Sequence, residues 1–175
     1  MYFVKHLEFY FDRKERRTWY LSLQNGKWNS TQGPDMIFKR FHHACSSFSV
    51  LDKLILAVVG GTVASAQSGA NANEFLTYDL STNTLNSNWD NRNATLDLPH
   101  TMHGYLLLSN GETLFFINTY GNTFYRLEDK GWDGYKWINM SQKLETPRSY
   151  AVGVLIPDEL ASCNNAAIEI QVTEG

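Results

Sequence analysis

Apolar residues along this chain come in short blocks of four to eight, rich in β-branched and aromatic types, with Gly, Asn, Ser, Asp and Pro between them. That pattern predicts strands and turns, and helical spacing is almost absent. Residues 9–11 and 19–23 flank the charged stretch Asp12-Arg13-Lys14-Glu15-Arg16-Arg17, which reads as a hairpin with a solvated tip. Residues 44–50 and 54–59 are joined by a tight Leu51-Asp52-Lys53 turn. Further strands are predicted over 75–80, 104–108, 113–118, 123–127 and 149–156. Asn110-Gly111 and Asn25-Gly26 are strong hairpin signals. Residues 62–73, rich in Ala, Ser, Gln, Gly and Asn, are expected to form a flexible loop. The expected class is all-β, built from antiparallel hairpins.

A repeat lies in the spacing. Trp28 precedes Arg40-Phe41-His42-His43-Ala44 by 12 residues, counted to Arg40. Trp89 precedes His100-Thr101-Met102-His103-Gly104 by 11, and Trp137 precedes Arg148-Ser149-Tyr150-Ala151-Val152 by 11. Pro34, Pro99 and Pro147 fall between each Trp and the block that follows. The blocks start 60 and then 48 residues apart, and a period near fifty holding about four short strands is that of a propeller blade.

In these residues the chain resembles the kelch-repeat family. The best unit runs Arg40-Phe41-His42-His43-Ala44, then an apolar run closed by Gly60-Gly61, then Tyr78-Asp79-Leu80-Ser81-Thr82-Asn83. These are similar to the family's Arg-x-x-His-Ala opening, its Gly-Gly strand end and its Tyr-Asp-x-x-Thr-Asn turn. The third unit departs most, with Asn118-Thr119-Tyr120-Gly121 where Gly-Gly is expected. The resemblance implies a partial β-propeller of four-stranded antiparallel blades. A partial blade is expected over 1–38, blades over 39–98 and 99–147, and the start of another over 148–175. At about fifty residues per blade the chain holds roughly three to three and a half of the four to eight that closed propellers need. Further blades from a longer chain, or self-association, are therefore expected.

Most singled-out residues are predicted to be scaffold. Arg40, His43, Gly60, Gly61, Tyr78, Asp79, Trp28, Trp89, His103, Trp137 and Arg148 all occupy repeat positions. Gly60-Gly61 permits positive φ where the chain leaves the sheet. Asp79 and its Ser and Thr neighbours suit a capped turn. The aromatics Tyr20, Tyr78, Trp28 and Trp137 are expected to fill the wedges between sheets.

Candidate chemistry is sparse. His42-His43 and His100-x-x-His103 would point to opposite faces of a strand, so no metal site is expected. Cys45 is expected to be a buried, inert thiol, and geometry decides whether it pairs with Cys163. No Gly-x-Ser-x-Gly, phosphate loop or dinucleotide fingerprint occurs, so neither catalysis nor a cofactor is expected.

Composition adds two exclusions. With 15 Lys+Arg against 18 Asp+Glu the net charge is -3, which gives no electrostatic reason to expect nucleic acid. The longest apolar run, 54–59, is far too short for a membrane-spanning helix. Residues 1–6 lack the apolar core of a secretory signal, which leaves open a cytosolic protein or a chain whose beginning lies further upstream.

The function that remains is protein recognition by loops on a rigid scaffold. The best contact candidates are residues 62–73 and the loop carrying Trp132, Asp133 and Tyr135, with the basic hairpin tip as a lesser one. The resemblance also implies alternatives: a substrate-recognition part of a ubiquitin-ligase adaptor, an extracellular adhesion or carbohydrate-related protein, or a propeller enzyme such as a copper oxidase. Three sequons, at Asn29, Asn93 and Asn139, each lie within four residues of a repeat Trp and are candidate glycosylation sites.

Overall fold

The computed structural model describes residues 7–11, 16–24, 26–41, 43–63, 73–91, 105–118, 122–129, 134–146 and 153. It is all-β in these residues, with every strand pair antiparallel.

The first sheet has three strands in the order β1 (Leu7–Phe11), β2 (Thr18–Gln24), β3 (Lys27–Gln32). The predicted hairpin is present, with Phe11 paired to Thr18. Gln24 pairs with Lys27, so the second connection has only two residues, with Gly26 at φ 73. Every residue of β3 is exposed, as its polar sequence Lys27-Trp28-Asn29-Ser30-Thr31-Gln32 requires.

The next stretch contributes β4 (Arg40–Phe41), β5 (Ala44–Val50), β6 (Lys53–Val59), β7 (Thr62–Val63), β8 (Glu74–Asp79) and β9 (Thr84–Leu85). β4 pairs with β7, and the other four form a sheet in the order β5-β6-β8-β9. The loop expected over 62–73 is therefore shorter at both ends: Thr62–Val63 pairs with Arg40–Phe41, and Asn73 is buried. Val50 pairs with Lys53, which trims the predicted turn to Leu51-Asp52. The third sheet is the meander β10 (Tyr105–Ser109), β11 (Leu114–Asn118), β12 (Thr123–Asp129), β13 (Tyr135–Asn139). Ser109 pairs with Leu114, so Asn110-Gly111 opens a four-residue turn instead of forming a two-residue one. The reason is local: Asn110 Oδ1 accepts the backbone N–H of Glu112 at 3.1 Å and of Thr113 at 2.9 Å, which needs the longer loop.

The second sheet is covered on both faces, which explains its uninterrupted apolar run over 54–59. On one face Phe48, Ile55, Ala57 and Phe75 share a core with Leu107, Phe116, Leu127 and Trp137 of the third sheet. On the other, Leu56, Val58 and Leu76 meet Met36 and Trp89. Met36 belongs to the segment after β3, which the first sheet holds in place. There Met36 N–H donates to the Arg16 carbonyl at 2.8 Å, and Thr18 Oγ1 donates to the Pro34 carbonyl at 2.6 Å. A Cβ on Gly33 would sit 2.8 Å from Thr18 Oγ1, so that contact requires glycine. The second and third sheets thus share one hydrophobic interface, and the other face of the second sheet is covered by Met36 and Trp89 from the segments beside it. Trp89 is buried beside Met36. Of the aromatics expected between sheets, Trp137 is buried against the second sheet, whereas Trp28 is 49% exposed. Nothing among the described residues covers the β3 face on which it stands. The predicted strand over 149–156 lies outside the described residues apart from Gly153.

Candidate functional site

Strand direction gathers the turns. β5 and β8 both run toward one end of the second sheet, which places Leu51-Asp52 and residues 80–83 together there. In the third sheet β10 runs toward residues 110–113, and β12 and β13 meet at the same end, where Asp129 pairs with Tyr135. The two ends are joined where Ser49 N–H donates to the Gly111 carbonyl at 2.7 Å. The Asp129–Tyr135 pair therefore stands at the same end as the Leu51 turn.

Two leucines dominate the described part of this end. Leu51 is 95% exposed and has φ 53, a left-handed conformation that costs a non-glycine residue about 1–2 kcal/mol. Leu80, also exposed, sits on the neighbouring turn, where its N–H donates to the Asp52 carbonyl at 2.7 Å. The turn that carries Leu80 is rigid. Asp79 Oδ1 accepts from Ser81 Oγ at 2.6 Å and from the N–H groups of Ser81 and Thr82 at 2.9 and 3.0 Å. Those bonds, from Ser81 Oγ–H and the Thr82 N–H foremost, hold the Asp79 carboxyl down at about 2. Tyr78 donates its hydroxyl to Asn83 Oδ1, and Asn83 takes φ 57 to close the turn. The site is an apolar pair displayed on two braced turns.

Neither leucine was among the predicted contacts, although the signal was there: Leu51 occupies a two-residue turn where Gly, Asn or Asp is usual. Of the predicted contacts, Trp132 and Asp133 lie outside the described residues, and Tyr135 is a correction. It is 5% exposed, because as the first residue of β13 it turns inward. Its ring centroid lies 5.6 Å from Phe48 and 4.9 Å from Phe75, so it is core. Cys45 is a second correction, since its side chain is exposed: β5 is an edge strand and covers it from one side only. Partial desolvation pushes its thiol pKa up, which disfavours the thiolate.

The opposite end of the second sheet holds a buried polar cluster. Arg40 and Glu74 are both buried and form an ion pair, and Arg40 Nη1 also donates to the Gly60 carbonyl at 2.8 Å. Glu74 also accepts the backbone N–H groups of Ile37 and Phe38, the latter at 3.3 Å. Burial pushes the Arg40 pKa down, and the Glu74 carboxylate opposes that shift. Gly60 and Gly61 take φ 68 and 87, the left-handed backbone expected of them. Repeat residues Arg40, Gly60 and Gly61 are thus brought together, while His103 and Arg148 lie outside the described residues. His43 is half-buried just ahead of β5.

Among the described residues no three His, Cys, Asp or Glu side chains are grouped to hold a metal ion. No helix among them is long and apolar enough to cross a membrane. Compared with models of known protein families and with curated proteins, the chain matches none.

Proposed function

We propose that this chain is a non-enzymatic protein-interaction module of kelch-type blades that grips a protein partner through the turns bearing Leu51 and Leu80. The observation that carries the reading is Leu51 itself. Its side chain is in solvent, where it adds nothing to the core, and its backbone is in a conformation that Gly or Asn would adopt more cheaply. An apolar side chain kept in that place at a cost to folding serves a contact outside the chain. The braced Asp79 turn beneath Leu80 supports this, because a rigid display loses less entropy on binding. Two four-stranded antiparallel sheets packed face to face support the blade assignment.

The test is a photo-crosslinking residue at position 51, with one at exposed Lys136 as the control, used in the source cells to identify the partner. Its affinity is then measured for the chain and for Leu51→Ser, Leu80→Ser and Trp132→Ala. At least a tenfold loss is expected for each leucine variant, by the logic of central apolar hot spots. Unchanged affinity in both leucine variants would remove the site. An extracellular setting is a second reading, favoured by one observation: Asn29 and Asn139 are both exposed on edge strands.

A further inference from the structure

The charges beside the two exposed leucines are of one sign. Asp52 links the pair: it follows Leu51 in the turn, and its carbonyl accepts the Leu80 N–H at 2.7 Å. Its own side chain is exposed. Glu112 is exposed on the adjoining turn, next to Gly111, whose carbonyl holds the Ser49 N–H at the end of β5. The cations nearby in the fold are committed elsewhere. Lys53 stands directly across the ladder from Asp79, where it offsets that carboxylate. Arg126 and Lys136 alternate with Leu127, Tyr135 and Trp137, which point into the core shared with the second sheet, so both lie on the face turned away from it. Arg126 is also paired with Glu128 at 2.6 Å.

This arrangement selects among the surfaces that exposed leucines suit. Apolar side chains on braced turns can enter a bilayer or a protein groove, and each setting has its own charge. The headgroups of an anionic membrane are negative and attract basic segments, so Asp52 and Glu112 oppose that docking. A protein segment that carries Lys or Arg beside its apolar residues is attracted instead. Charges at the rim of such a contact steer encounter and refuse partners of like sign.

We infer that the segment gripped at Leu51 and Leu80 is basic: two neighbouring apolar side chains flanked by Lys or Arg, with the apolar pair on the leucines and the cations toward Asp52 and Glu112. This rests on the interaction reading proposed above and adds the partner's chemistry to it. The two kinds of contact divide the work. Desolvation of the leucines carries most of the affinity. The carboxylates stay wet, contribute about two- to fivefold each, and act mainly on the association rate. They are screened over about 10 Å at 0.1 M salt, so binding strengthens as salt falls. A segment with the same apolar pair and acidic flanks is refused.

A random peptide library selected on the full chain, and counter-selected on the chain with Leu51→Ser and Leu80→Ser together, tests it. The surviving peptides should combine apolar residues with Lys or Arg and carry net positive charge. The strongest survivor is then made as a fluorescent peptide. Asp52→Asn and Glu112→Gln should each weaken its binding about two- to fivefold and flatten its salt dependence, and its twin with Glu at every Lys and Arg should not bind. Neutral or acidic survivors, or an affinity that ignores both carboxylate variants, overturn the basic partner and leave the leucine site standing. An absence of leucine-dependent survivors overturns both. Leucine-dependent binding to phosphatidylcholine–phosphatidylserine vesicles assigns the pair to a membrane and overturns the basic segment as well.

Discussion

Glu74 on β8 holds Arg40 and the backbone of residues 37 and 38 with a single carboxylate. The Arg40–Glu74 pair itself is out of water, so its balance is set by desolvation. Glu74→Gln leaves a buried guanidinium without its counter-charge, and removing one member of such a pair costs about 3–5 kcal/mol. Replacing both, Arg40→Met with Glu74→Leu, should recover part of that loss and not all. The N–H groups of Ile37 and Phe38 lose their acceptor, at about 1–3 kcal/mol for each group left unsatisfied. Urea denaturation of the three chains checks the order; a double variant as stable as the parent would show that those N–H groups find other partners.

The Asp79 turn should make stability depend on acid pH. The carboxyl titrates near 3.8 when free and near 2 in the fold. On acidification the unfolded chain takes up its proton first, so the stabilisation is complete above about pH 4 and fades as pH falls toward 2. Asp79→Asn should flatten the stability profile in that window. An NMR titration that places the Asp79 midpoint near 4 would contradict the capping geometry.

Leu51→Gly should raise stability by about 1 kcal/mol, the cost of the left-handed conformation in a residue with a Cβ. The same variant should weaken partner binding. A fall in urea midpoint would mean that the leucine packs against something in the folded chain.

Much of the fold was legible in the chain because each signal was local. Gly60-Gly61 and Asp79-Leu80-Ser81-Thr82-Asn83 set their own backbone through positive φ and side-chain caps. Continuous apolar character over 54–59 announced a strand covered on both faces. What local reading could not supply was the neighbour of each face. Trp28 and Trp137 look alike in sequence, yet one is exposed and the other buried, because burial depends on the adjoining sheet. Tyr135 failed as a contact for the same reason: its loop is polar, but the first residue of β13 turns toward Phe48 and Phe75. Leu51 was legible as a turn residue, but its near-complete exposure and left-handed backbone show only in the fold.

Asn29 and Asn139 should accept N-glycans when the chain is directed through a secretory host. Asn29, Ser30 and Thr31 are all exposed on β3, and Asn139 and Ser141 are exposed at the end of β13. Peptide mass mapping before and after glycosidase treatment should find both modified. Bare asparagines at both positions in secreted material would mean that these strand edges are covered before the transferase reaches them.

Building each sheet from strands close together in the chain has a kinetic consequence. Hairpins close quickly because their ends are near in sequence, whereas the stacking of sheets joins residues far apart. When the second sheet leaves the ribosome, Met36 has already emerged to cover Leu56, Val58 and Leu76. Its other face, with Phe48, Ile55 and Phe75, must wait for Phe116, Tyr135 and Trp137, at least sixty residues after Phe75 in the case of Tyr135. Translation thus passes through an interval with one finished interface and one bare apolar sheet. In that interval the nascent chain is most exposed to aggregation and to chaperone capture.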